Sequence, residues 1–155
     1  MATTGVTQPI LVVDDTTLGA NATADFSGLF TATVGNDVPG SGTTYALAVT
    51  AGASGIIDVA TGEVVTLSLT AGGVVEGRIA TGNALVFTVT VDGSGNVTLD
   101  QIRAVQHNDP LDAFETNASG SAATLSADGL IRLVATITDQ DGDKASASVD
   151  IGSNL

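Results

Sequence analysis

The sequence contains no cysteine. Small extracellular domains often depend on disulfides, so this chain must hold itself together by its core, by bound metal, or by both. The same absence excludes thiolate zinc sites and cysteine nucleophiles. Aromatic residues are scarce: four Phe, one Tyr and no Trp, a poor platform for stacking sugar rings. Basic residues are scarcer still in relation to acids, four Lys and Arg against 17 Asp and Glu, for a formal charge of −13. Nucleic acid is therefore excluded as a partner, because binding it begins with neutralising phosphates, and anionic membrane surfaces are disfavoured for the same reason. No apolar run reaches the roughly 18 residues of a membrane span. The opening MATTGVTQPILVVDD lacks the basic segment of a secretory signal. Met1 thus reads as the start of an excised piece, and any export signal either lies elsewhere in a longer parent or does not exist.

What is present is β-forming. Hydrophobic residues make up 43% of the chain, mostly Val, Ala, Leu and Ile, accompanied by abundant Thr and 19 Gly. Branched side chains suit a pleated surface and glycine suits turns, and this apolar content is too high for wholesale disorder. A length of 155 residues fits one domain. We expect a linker over residues 1–8, a single module over 9–152 and a linker over 153–155.

Period-two patterning places the strands. A short apolar run, Pro9 to Val13, ends abruptly at Asp14-Asp15. Residues Asp25 to Val34 read as a strand with an irregularity at Gly28, and Asn36 to Gly42 as a turn. Tyr45, Leu47 and Val49 form one inward row. A meander follows over Gly55 to Val59, Val64 to Thr70, Val74 to Ile79 and Leu85 to Val91, broken at Thr61-Gly62, Gly72-Gly73 and Gly82-Asn83. Asp92 to Asn96 is a polar hairpin loop leading into Val97 and Leu99, while Asp100 to Gln106 reads equally as a helical turn or a strand. Residues 107–128 form the one long stretch without periodicity. It holds His107, the only histidine, which reads as a structural loop residue more readily than as an acid–base group because no partner set accompanies it. The pattern predicts an all-β fold: an immunoglobulin-like antiparallel β-sandwich with Greek-key or meander connections.

The chain closes on a predicted β-hairpin with an acidic tip. Ile131, Leu133, Ala135 and Ile137 alternate with polar neighbours, as do Ala145, Ala147, Val149 and Ile151. Between them stands Asp139-Gln140-Asp141-Gly142-Asp143. A turn does not require three carboxylates at alternate positions, and their repulsion calls for compensation. A hard divalent cation with oxygen ligands is the natural candidate, and calcium fits best. A solvated acidic turn is the alternative. Three carboxylates seldom complete a shell of six to eight oxygens, so Asp14 and Asp15 are candidate second donors. The alternative for those two is that they simply end a strand.

The ordered set LVVDDTTL, VFTVTVDGSGNVTLDQIRAVQHND and ATITDQDGDKASASVDIG resembles repeats of giant bacterial RTX-type adhesins exported by type I secretion, over about Ile10 to Gly152. The resemblance implies an extracellular, calcium-binding, non-enzymatic extender or scaffold module at the bacterial cell surface. In that role it would support cell adhesion and biofilm formation. Its partners would be adjacent repeats of the same chain, and an isolated module would be monomeric. By the same resemblance the metal role falls on Asp139, Asp141 and Asp143, with Asp14 and Asp15 beside them. A ligand-binding module of the same adhesin, recognising glycan, protein or ice, is the alternative. A flat Thr-rich face would favour it.

Overall fold

In the computed structural model, residues 11, 18, 20–29, 39–106, 125–139 and 142–152 are described. They form nine strands: β1 (Ala22–Asp25), β2 (Pro39–Val49), β3 (Gly52–Ile57), β4 (Val64–Leu69), β5 (Val75–Arg78), β6 (Leu85–Val91), β7 (Asn96–Gln101), β8 (Ile131–Asp139) and β9 (Lys144–Asp150). No α-helix occurs among the described residues, and so no helix there is long and apolar enough to cross a membrane.

The strands make two antiparallel sheets, one of six strands in the order β1-β7-β6-β5-β4-β3 and one of three in the order β2-β8-β9. The larger sheet is a five-strand meander from β3 to β7, closed on one side by β1. The all-β sandwich predicted from period-two patterning is therefore the fold, and its larger sheet realises the meander. The short polar breaks force consecutive strands to pair as neighbours, because a connection of a few residues leaves no length for a crossover.

Alternation decides which face is buried. Val65 and Leu67 of β4, Val75 of β5, Val89 of β6, and Val97 and Leu99 of β7 point inward. They meet Leu47 of β2, Ile131, Leu133 and Ala135 of β8 and Val149 of β9. Strand β2 lies across β4, β5 and β6, and Phe26, Leu11, Leu125 and Ile151 complete the same cluster. Register irregularities interrupt the rows, in the large sheet between Ala53 and Ile57 and again in β5. Between Gly77 and Arg78 the pairing with β6 shifts by a residue, so Val86 and Phe87 are buried in succession.

Two local expectations are corrected. In the Asp25–Val34 window, β1 ends at Asp25 and is followed by a 3-10 turn over Ser27–Leu29, while residues 30–34 lie outside the described residues. The cause is the Asp25 side chain, whose Oδ1 accepts the Ser27 N–H at 2.8 Å and bends the backbone away from the ladder. Nor is the 36–42 window wholly a turn, since β2 begins at Pro39 and Pro39 stands opposite Asp139. A proline that cannot donate is tolerated there because β2 lies at the margin of the described sheet order. The irregularity that its glycines impose survives as a register shift between Pro39 and Thr43.

Candidate functional site

The C-terminal hairpin forms as predicted. Strands β8 and β9 pair from Arg132 opposite Asp150 to Thr138 opposite Lys144. Asp139 ends β8 and Asp143 stands just before β9. Gly142 between them has φ 90°, a left-handed conformation that glycine adopts without strain. Asp143 is exposed and is held in an interaction of its own. The backbone of β2 enters at the same place, because Pro39 pairs with Asp139. The geometry thus gathers the 139–143 connection and the start of β2 at one end of the small sheet.

The side chain of Asp139, and Asp141, Asp14, Asp15 and His107 altogether, lie outside the described residues. Among the described residues no three His, Asp or Glu side chains converge as a metal-holding group. The donor chemistry of Asp139, Asp141 and Asp143 fits a divalent cation: hard carboxylates at alternate positions in the sequence around a left-handed glycine.

Three other carboxylates, Asp58, Asp92 and Asp25, are each built into a turn. Asp58 follows β3 and is fully buried. Its Oδ1 accepts Arg103 Nε–H at 2.9 Å, and its Oδ2 accepts the second guanidinium arm at 3.0 Å. Thr61 adds its backbone N–H at 3.0 Å and its hydroxyl at 2.8 Å to the same Oδ2. The Arg103 hydrogen bonds, assisted by those from Thr61, hold the Asp58 carboxyl down at about 2 despite the opposing effect of burial. Asp58 also bridges to Val105 across the chain. This cluster therefore clamps the irregular segment after β7 to the turn after β3. It resolves the ambiguous 100–106 window as a strand to Gln101, followed by irregular backbone anchored to that turn. Beside it, Glu63 Oε1 accepts the Thr81 hydroxyl at 3.0 Å. Glu63 Oε2 is buried with no hydrogen-bond partner among the described residues.

At the β6–β7 hairpin, Asp92 Oδ1 accepts the N–H groups of Ser94 and Asn96 at 2.8 and 3.0 Å. Asn96 Nδ2 donates to Oδ2 at 2.8 Å, and these donors, led by Asn96, keep Asp92 below the usual carboxylate range. Asp25 is likewise lowered by Ser27. Nearby, the Tyr45 hydroxyl is raised, first by burial and then by the charge of Asp25. The second ion-paired carboxylate among the described residues, Glu76, meets Arg78 Nε at 2.8 Å on the outer face of β5. Sequence reading missed the Asp58–Arg103 pair altogether. The partners are 45 residues apart, and the only local signal was Asp58-x-x-Thr61, a turn-forming spacing.

These features define an all-β sandwich domain whose buried charge serves turns and whose closing hairpin carries an acidic tip. Residues 10–152 match the family described as a domain of unknown function (DUF5801), and the chain belongs to that family. No curated protein and no solved structure matches it.

Proposed function

We propose that this domain is a non-enzymatic, calcium-stabilised extender or scaffold module of a large, type I-secreted bacterial surface adhesin, acting in cell adhesion and biofilm formation outside the cell. The observation that carries the reading is the β8–β9 hairpin, with Asp139 at the end of one strand, Gly142 at φ 90° and Asp143 at the start of the next. That turn sets three acidic positions within five residues of a chain already carrying −13. In this proposal calcium is held by Asp139, Asp141 and Asp143, with Asp14 and Asp15 as further donors. The ion neutralises the tip, and binding to the folded state alone stabilises it by mass action. The remaining support is the resemblance of the closing motif to RTX-type adhesin repeats, from which the neighbouring repeats are inferred as partners. The commitment of both Asp58 oxygens to Arg103 and Thr61 also favours a structural role for the most buried acid.

A second reading, a ligand-binding module, draws on the outer face of the large sheet. There Thr23, Thr98 and Thr90 stand side by side across β1, β7 and β6, with the first two hydroxyls 2.9 Å apart. Asp100, Glu76 and Arg78 interrupt that face, so it offers no unbroken threonine array, and the extender reading is the stronger one.

Thermal unfolding in chelator and in millimolar calcium, on wild type and on an Asp141→Asn/Asp143→Asn variant, tests the proposal. The expected result is a calcium-dependent rise in midpoint that shrinks in the variant. An apo protein as stable as the calcium-loaded one would overturn it.

A further inference from the structure

The four basic residues are distributed unevenly. Arg78 and Arg103 are spent on Glu76 and Asp58. The other two, Arg132 and Lys144, are both exposed on the outer face of the small sheet. Apart from them and Asp150, the described outward positions of that face carry small neutral side chains. Thr44, Thr136 and Ser146 form one cross-strand row, and Ala46, Val134 and Ser148 the next. Asp150, opposite Arg132, is its one carboxylate among the described outward positions. The face therefore carries about one net positive charge on a chain of −13. The outer face of the large sheet has the reverse balance, with Asp25, Glu76 and Asp100 against Arg78 alone.

We infer that the outer face of the small sheet of one copy docks on the outer face of the large sheet of a second copy. Flat faces with short side chains allow two sheets to approach closely. At physiological salt the mutual repulsion of two acidic chains is screened beyond about 8 Å, whereas charges brought into contact are screened much less. Arg132 then meets Asp100, and complementarity at short range sets the orientation. Three strands about 4.8 Å apart and four rows about 7 Å apart give a face of a few hundred Å², short of the roughly 800 Å² per partner of a stable interface. The contact is accordingly weak, with single domains monomeric at ordinary working concentrations. It gains force only where many copies are tethered side by side. Because the two faces differ, the contact is heterologous and repeats along a stack. Nothing in the inference depends on calcium.

The test is a charge swap read by sedimentation velocity and by concentration-dependent NMR shifts at about 1 mM protein and about 0.15 M salt, where weak pairs are populated. Arg132→Glu and Asp100→Lys change exposed or half-exposed positions, and unchanged thermal midpoints verify folding. Each variant alone should weaken self-association about tenfold or more. Their equimolar mixture should regain it, because the unaltered small face of the Asp100→Lys chain then meets the unaltered large face of the Arg132→Glu chain. Wild type that stays monomeric at about 1 mM overturns the inference. So does an Asp100→Lys variant that associates as well as wild type, which would indicate pairing of like faces, or a mixture that fails to recover.

Discussion

Replacing Gly77 with alanine destabilises this domain, although alanine at a compatible strand position would ordinarily stabilise it. Gly77 stands opposite Phe87 in the β5–β6 ladder, and its backbone lies outside the left-handed region. The backbone therefore accepts alanine, and the shorter menu of unfolded conformations would contribute about 0.4–1 kcal/mol of stability. The obstacle is the ring. A Cβ at position 77 falls 2.5 Å from Phe87 Cε1 and 2.8 Å from Cδ1 and Cζ. Phe87 is only 5% exposed, walled by Val75 and Val89 on the same inner face, so it has nowhere to swing. Overpacking of this kind costs about 1–3 kcal/mol, leaving a net loss of roughly 1–2 kcal/mol and a fall in midpoint of roughly 2–8 °C for a domain of this size. Urea titration and thermal melts measure it. Because the cost comes from one contact, it should vanish when the ring is removed: in a Phe87→Leu background, Gly77→Ala should be neutral or slightly stabilising, a coupling of about 1–2 kcal/mol between the two sites. A Gly77→Ala protein that melts above wild type, or an equal cost in both backgrounds, would refute the reasoning.

The Asp58 clamp gives a pH dependence whose sign is fixed. The folded carboxyl sits at about 2, below its ordinary 3.8, so between those values the unfolded chain binds more protons. The clamp's contribution is fully present above about pH 4 and is lost as pH falls through 2, amounting to about 1 kcal/mol once the partly exposed guanidinium is allowed for. Protonation of the many surface acids relieves repulsion in the same range, so the measurement is the difference between wild type and Asp58→Asn in urea melts at pH 7 and pH 2.5. A difference independent of pH would count against the clamp. Arg103→Met should destabilise more than Asp58→Asn at pH 7, because it leaves a carboxylate that is 1% exposed without its counter-ion, and equal midpoints for the two would contradict that ranking. If the acidic tip is offset by calcium, the chelated protein should also recover part of its lost midpoint as sodium chloride is raised, since salt screens exposed like charges; a salt-independent apo midpoint would locate the calcium effect elsewhere.

How far the sequence could be read follows from how far along the chain each signal acts. Leu85 to Val91 was placed to the residue because its apolar side chains alternate in sequence and a Gly-Asn turn precedes it, although the register shift buries Val86 beside Phe87 as well. The β8–β9 hairpin was legible for the same reason, with both rows and the glycine of the turn lying within 21 residues. The misreadings came where a side chain diverted the backbone, at Asp25, or where a strand margin tolerated residues that usually mark turns, at Pro39 to Gly42. Asp58 shows the limit most clearly. Its neighbour Thr61 was visible as turn chemistry, but the partner that holds its charge arrives 45 residues later on irregular backbone after β7. No periodicity encodes such a meeting, because it depends on two strand ends being brought to one end of the sheet.

That contrast bears on the acidic tip. Asp25, Asp58, Asp92 and Glu76 all belong to an excess of carboxylates that looks undifferentiated in composition. In the fold each is lowered by a specific donor: Ser27, Arg103, Asn96 and Arg78 in turn. Two of those donors are arginines, and they use half of the four basic residues the chain possesses. Lys144 and Arg132 sit outside the 139–143 connection, on the outer face of the small sheet. That scarcity of cations, on a chain of −13 that also concentrates three carboxylates in five residues, is the ground for the proposal that an ion from solution neutralises the tip. The chelator experiment asks whether that ion is calcium.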